Sequence, residues 1–430
     1  MKKNTRVSTT LPYVNNSMIR AVKKKLISGE FSKFIGSPDV TTRKFLSLKN
    51  KDLIKSVKTA KSFFGGKSIL KLENDWSKLV KSNYVISVNS ATSALTTAIM
   101  ACDIGPGDEI ICSPFTFTAS VAAIISANAI PKFCDIDENT FCLNTDLIEP
   151  LINNKTKAVM AIHWNGNAGN LDKIMKICEK YKIKLIEDAS QCHGMKYNKK
   201  YLGTIGDVGV FSLNEPKNIM VGEGGLITTN NKNIAIKCRL IRNHGENIVN
   251  DSDSDKKITN IIGYNFRLSE ILAEIGIYQI KKLKFLNNIR KKNYKYLIKN
   301  LKKFNSILVP QKINNDDYYP YTVAFRLKKN QRYKRKNLLE LFIKRSINVS
   351  KGINRLVSEH PMFKKQIAYG SNHCPFSCHL YNKKFIITET PVAKKLNEHE
   401  YLGFFQIGWP SKIKDMKRIV ETFKVFFKIS

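Results

Sequence analysis

The chain has no long apolar run. Its longest nearly apolar stretch, SVAAIISANAI at 120–130, is far too short to cross a bilayer. No apolar segment follows the basic start MKKNTRVSTTLPYVNNS, so a cytoplasmic protein without leader or membrane contact is expected. The strand-turn-helix stretch VISVNSATSAL is not a phosphate-binding P-loop, because GK[ST] is absent from it. The glycines of VGEGG do not follow a strand with G-x-G-x-x-G spacing, so a dinucleotide fingerprint is unsupported. No internal repeat is present.

Acidic residues are scarce. There are 35 Asp and Glu against 72 Lys and Arg, a formal net charge of +37. The excess is nearly all lysine, whereas bidentate recognition of phosphates and bases favours arginine. Solvated lysine faces are therefore expected, and no nucleic-acid partner; such a surface still steers an anionic small substrate. The charge is uneven. Residues 83–162 carry only Lys132, Lys155 and Lys157, as a buried or catalytic core would, and 281–365 are dense with lysine.

The nine cysteines are odd in number and scattered, mostly in apolar or periodic segments. Buried free thiols in a reducing compartment explain them best. The cluster HCPFSCH at 373–379 has zinc-ligand residue types, but no second cluster stands at a set distance, so a loop without metal is expected.

What is present is an alternation of strands and helices. RAVKKKLISGEF reads as an amphipathic helix ending at Gly29. From residue 83 onward, YVISV, NSATSALTTAIMAC, GPGDEIICSPF, FTASVAAIISANA, IPKFCDID, KAVMAIHW, NLDKIMKICEKYKI and KLIEDAS read as strand, helix, strand, helix, strand, strand, helix and strand. This predicts a mainly parallel sheet covered by helices, with a ligand site at the carboxyl ends of its strands. GGLITTN reads as a further strand, NIAIKCRLIRNHG as a helix and residues 247–260 as a mobile loop. A long helical period at 267–301 leads to a smaller C-terminal domain with strand-like PYTVAFRL and helical KRKNLLELFIKR. The predicted division is 1–285 and 286–430. Residues 36–67 are polar and mixed and resist assignment.

Three stretches carry candidate chemistry. In VISVNSATSAL a strand runs through small residues into a helix, whose first N–H groups can receive an anion, with Thr92 adding a hydroxyl; a plain cap by Ser90 or Thr92 is the other reading. In KLIEDASQCHG, Asp188 ends an apolar strand, and Gln191 and His193 are expected to converge on it. Lys217, between Pro216 and Asn218 and before Gly222, Gly224 and Gly225, lacks the amphipathic context of the other lysines; it is either a solvated charge or a desolvated amine nucleophile.

In order, NSATSAL, GPGDEIICSPFTFTAS, IPKFCDID, IEDASQCHG, GTIGDVGVFSLNEPKNIMVGEGGLITTN, IRNHGE and GYNFRLSEILAEIGIYQIKKL resemble the nucleotide-sugar aminotransferases of the DegT/StrS type. These enzymes depend on pyridoxal 5′-phosphate (PLP). The resemblance is strong over about 83–283 and weaker elsewhere. It implies the α/β fold of PLP-dependent transferases of fold type I: a large domain with a mostly parallel seven-stranded sheet and a small C-terminal α/β domain. It further implies a homodimer with shared active sites. By position, Lys217 matches the lysine that binds PLP covalently and then carries the proton. Asp188 matches the partner of the pyridine nitrogen, Phe117 the aromatic on the ring, and Gln191 the residue near its hydroxyl. Ala91, Thr92 and Ser212 match phosphate ligands, and Asn265 an asparagine reaching the phosphate from the partner subunit. His163 and Arg267 match substrate-side positions less closely. Ala91 stands where glycine is frequent, and Ser190 where alanine is. The implied reaction moves an amino group from glutamate or glutamine through PLP and its amine form, PMP, to a nucleotide-linked keto-sugar, for amino-sugar and surface-polysaccharide synthesis. A cyclitol ketone is a second acceptor. Family dehydratases carry histidine at the lysine position. A sugar dehydratase, or a basic binding protein that kept the fold, are the other readings.

Overall fold

The computed structural model describes residues 10–34, 44–56, 63–245 and 261–428. The loop expected at 247–260 lies outside the described residues, as does part of 36–67.

Seven strands form the central sheet: β1 (Tyr84–Val88), β2 (Glu109–Cys112), β3 (Ile130–Phe133), β4 (Thr156–Ile162), β5 (Lys184–Asp188) and, after the small hairpin of β6 (Lys196–Tyr197) and β7 (Lys200–Tyr201), β8 (Val208–Ser212) and β9 (Gly225–Thr229). Their order is β1-β9-β8-β5-β4-β2-β3. Only β9 runs against its neighbours β1 and β8; every other pairing is parallel. A sheet covered on both faces needs apolar residues at successive positions, and β1 through β5 read so.

Alternate residues feed two cores. Ile86, Val88, Met160, Ile162, Ile186, Val208 and Val210 face one layer, with the helices α3 (Ala91–Ala101), α4 (Thr118–Ser126) and α6 (Lys232–Arg242). Val85, Val159, Ala161, Leu185 and Phe211 face the other, with α2 (Lys67–Val80), α5 (Leu171–Tyr181) and α7 (Glu270–Leu301). The N-terminal helix α1 (Asn16–Ile27) starts earlier than its amphipathic period suggested, because Asn15 caps it through the Met18 N–H; the chain then turns at Gly29, φ +64°.

Beyond α7 the antiparallel sheet β10-β11-β13-β12 (Leu308–Pro310, Val323–Leu327, Tyr401–Phe404 and Val349–Ser350) packs with α8 (Arg335–Lys344) and α9 (Ile413–Phe427) around a third core. Residue 286 lies inside α7, which serves both units. The chain also comes back: Val357, Phe363, Phe376, Tyr381 and Phe385 join the large-domain core, and Tyr381 donates a hydrogen bond to Glu109 Oε1 at 2.9 Å. The Cys/His stretch 373–379 lies in this return segment. No three His, Cys, Asp or Glu side chains gather to hold a metal among the described residues, and no helix there is long and apolar enough to cross a membrane. Seven cysteines are buried and all nine are free; burial pushes the Cys102 and Cys178 thiols up to about 12, so they pack as small apolar groups.

Candidate active site

A cavity of about 560 Å³ opens at the carboxyl ends of β1, β2, β4, β5 and β8, where parallel sheets leave helix starts and loop ends facing one another. Its walls are the starts of α3 and α4, the ends of β5 and β8, the loop of Lys217, and Tyr321, Gly352, Ile353 and Phe405 from the C-terminal part.

Parity decides which side chains reach it. Asp188 shares a face with Ile186, and Ser212 with Val208 and Val210, so both turn toward α3 and α4 and line the cavity. Asp188 is buried; its Oδ2 accepts from Ser120 Oγ at 2.7 Å and its Oδ1 from the Ser190 N–H at 3.2 Å. Ser120 lies in the first turn of α4. In the sequence, a small hydroxyl at that helix start is its local signal.

Glu187 and His163 have the opposite parity. Glu187 accepts the N–H groups of Gly203, Ile205 and Gly206 at 2.8, 2.7 and 2.7 Å, and its Oε2 lies 3.0 Å from His163 Nε2. Burial alone would raise this carboxyl, but the His163 ring and the loop N–H groups hold it below the usual range. His163 borders the cavity, yet its ring is turned to Glu187, under the sheet.

The expected convergence of Asp188, Gln191 and His193 holds for two of the three. Gln191 lines the cavity and its Oε1 accepts the Asn165 N–H at 2.6 Å. His193 does not: the turn after β5 carries it into the opposite layer, edge-on to Trp76 and tilted on Phe211 at 5.8 and 5.7 Å between ring centroids. Burial, and then the charge of Lys217, push its imidazole down to about 3, so it stays neutral.

The start of α3 faces the cavity. Ser90 is its cap, accepting the Ser93 N–H at 3.0 Å, which leaves the N–H groups of Ala91 and Thr92 without intrahelical acceptors. Gly225 presses on this turn: a Cβ there would stand 2.5 Å from Ser90 O and 2.9 Å from Ala91 N. Phe117, the residue before α4, also lines the cavity and is 71% exposed.

Lys217 is half-buried. Its backbone N–H donates to Asn214 O at 2.9 Å, and its Nζ stands 4.5 Å from the centre of the Tyr321 ring. Asn214 also ties Glu223 at 2.8 Å, so the lysine loop is braced against the glycine turn. Among the described residues, Lys217 is the only lysine or arginine lining the cavity, whereas Asp188, Glu215 and Glu223 are its carboxylates. Two expected residues lie outside this chain's cavity. Asn265 is exposed, and Arg267 Nη1 donates to Asn243 Oδ1 at 2.7 Å and to His244 Nε2 at 2.8 Å. Tyr321 carried no local signal in the sequence, because it arrives from beyond α7.

The model of the DegT/DnrJ/EryC1/StrS aminotransferase family matches residues 47–400. An uncharacterised protein of Methanocaldococcus jannaschii is 32% identical over 349 residues, covering 78% of this chain and 88% of that protein. GDP-perosamine synthase of Escherichia coli O157:H7 is 34% identical over 257 residues, covering 60% and 68%. Among solved structures, Helicobacter pylori PseC, described as an aminotransferase involved in the biosynthesis of pseudoaminic acid, superposes with a TM-score of 0.78 at 21% identity, covering 99% of this chain and 100% of that one. At that identity the likeness speaks for the fold.

Proposed function

This chain belongs to the DegT/DnrJ/EryC1/StrS aminotransferase family, whose members are PLP-dependent enzymes of sugar metabolism, and from that premise we propose that it transfers an amino group from glutamate or glutamine to a nucleotide-linked keto-sugar. The observation that carries the amino-transfer reading is Lys217 at the cavity, beside Asp188 and the open start of α3. A dehydratase of the same family carries histidine where Lys217 stands.

The residues fit PLP. The unpartnered N–H groups at the start of α3, with the Ser212 hydroxyl, suit its phosphate, and the absence of a Cβ at Gly225 keeps that cradle open. Asp188, fixed by Ser120, suits a protonated ring nitrogen, and the exposed face of Phe117 suits the flat of the ring. Bound PLP supplies an electron sink for the pair left on the substrate carbon. Asp188 would hold the ring nitrogen's proton through a hydrogen bond to its buried carboxylate. Lys217 Nζ would hold the cofactor at the cavity wall and, as a free amine, would take the proton from the substrate carbon. Gln191, held by Asn165, orients the ring's hydroxyl side.

With a single lysine and no arginine lining the cavity among the described residues, a substrate bearing carboxylates or phosphates finds few counter-charges there. That supports a homodimer in which Asn265, exposed and outside its own cavity, serves the partner's site. Residues 1–285 and 286–430, sharing α7, would then close around the substrate, in the cytoplasm.

The test is to incubate purified, PLP-loaded enzyme with glutamate or glutamine and a panel of nucleotide keto-sugars, and to analyse products by mass spectrometry. An aminated sugar supports the reading. A deoxygenated sugar without added nitrogen supports the dehydratase instead.

A further inference from the structure

The Tyr321 ring is not placed by chance contact. The buried Arg290, on α7, donates from Nη1 to Pro320 O at 3.0 Å and to Tyr321 O at 3.3 Å. Gly408 leaves room for that guanidinium, since a Cβ would stand 2.8 Å from Arg290 Cζ. The Tyr321 N–H donates to Asn165 O at 3.3 Å, and its ring meets Phe405 edge-on at 5.5 Å. Asn165 is itself held: its Nδ2 donates to Gln311 Oε1 at 3.0 Å and to Tyr401 Oη at 3.2 Å. Backbone and ring are thus pinned from several sides, and the face left over is presented to Lys217 Nζ at 4.5 Å. An ammonium over an aromatic face is attracted by the ring quadrupole, and Lys217 has no salt-bridge partner among the described residues.

We propose that Tyr321 is a positioning residue: its ring holds the free amino group of Lys217 at the cavity wall whenever that nitrogen is not occupied by the cofactor. The role rests on the reading of Lys217 given above. A lysine that must let go of the cofactor, shuttle a proton and return needs a resting place within reach of the reacting carbon. The π-face supplies one without the strong trap that a carboxylate would set.

The test uses cofactor-free protein. Tyr321→Phe keeps the ring; Tyr321→Leu and Tyr321→Met remove it, and either one, if folded, suffices. Each is treated briefly with an amine-acetylating reagent, and Lys217 modification is followed by peptide mass spectrometry, with exposed Lys232 as internal standard. The expected result is slow modification of Lys217 in the parent and in Tyr321→Phe. Without the ring it should be roughly 3–10-fold faster relative to Lys232. In loaded enzyme, Tyr321→Phe should restore the kcat that Leu or Met loses, with KM little changed. Equal modification rates in all forms would overturn the proposal, and so would Tyr321→Phe behaving like Tyr321→Leu. A separate arm treats loaded enzyme with borohydride: if this fixes no cofactor on Lys217, the functional reading fails whatever the acetylation rates show.

Discussion

Ser120 Oγ donates to Asp188 Oδ2 at 2.7 Å, within a buried cluster that also places Thr116 Oγ1 3.0 Å from Ser120. A hydrogen bond to a carboxylate in such surroundings is strong, and it fixes which way the acid points. Ser120→Ala is therefore expected to weaken cofactor retention and kcat roughly ten- to hundred-fold with little change in Tm. Equilibrium dialysis of PLP and steady-state kinetics check it. Unchanged retention would mean that Asp188 needs no help from α4.

Gly225 tests the cradle. A methyl group at this position meets backbone on Ser90 and Ala91, which cannot swing aside as a side chain does. Gly225→Ala should cost about 1–3 kcal/mol of stability by forced overpacking. Beyond that cost, it should weaken binding of PLP far more than binding of phosphate-free pyridoxal. Thermal unfolding and cofactor titration measure both. Equal weakening for the two ligands would place the phosphate elsewhere.

His193 makes a pH prediction. Its imidazole is held down to about 3 by burial, against an ordinary 6.5. Below pH 6.5 the unfolded chain binds a proton that the folded chain refuses, so stability falls as pH falls through the window from 6.5 toward 3. The limiting slope is about 1.4 kcal/mol per pH unit from this one group. His193→Leu should flatten the acid limb of a plot of unfolding free energy against pH, measured with denaturant. An unchanged limb would assign the acid sensitivity to other groups.

The same histidine shows where sequence reading stops. Asp188, Gln191 and His193 are neighbours along the chain, but neighbours in a turn need not share a layer, and the turn sends His193 behind the sheet to Trp76. The strands of the large domain were legible because burial on both faces leaves short apolar runs bounded by turn residues, as in YVISV and KLIED. β8 was harder, since Gly209 interrupts its apolar run, and β13 carries only YLGF. Lys217 and Asp188 stood out through the order of several motifs. Tyr321 did not, because its place depends on Arg290 and Asn165, far away along the chain. The return of 357–385 to the first core was equally silent, for docking of scattered aromatics leaves no local period.

The central claim is that Lys217 serves amino transfer. The most direct measurement is a single-turnover half-reaction: enzyme loaded with PLP is mixed with glutamate, and separately with glutamine, while the visible spectrum of the cofactor and the released keto acid are followed. The account predicts loss of the visible band, conversion of the cofactor to its amine form and stoichiometric release of keto acid with one of the two donors, all abolished in Lys217→Ala. A cofactor that binds Lys217 yet stays unchanged with both donors would contradict it.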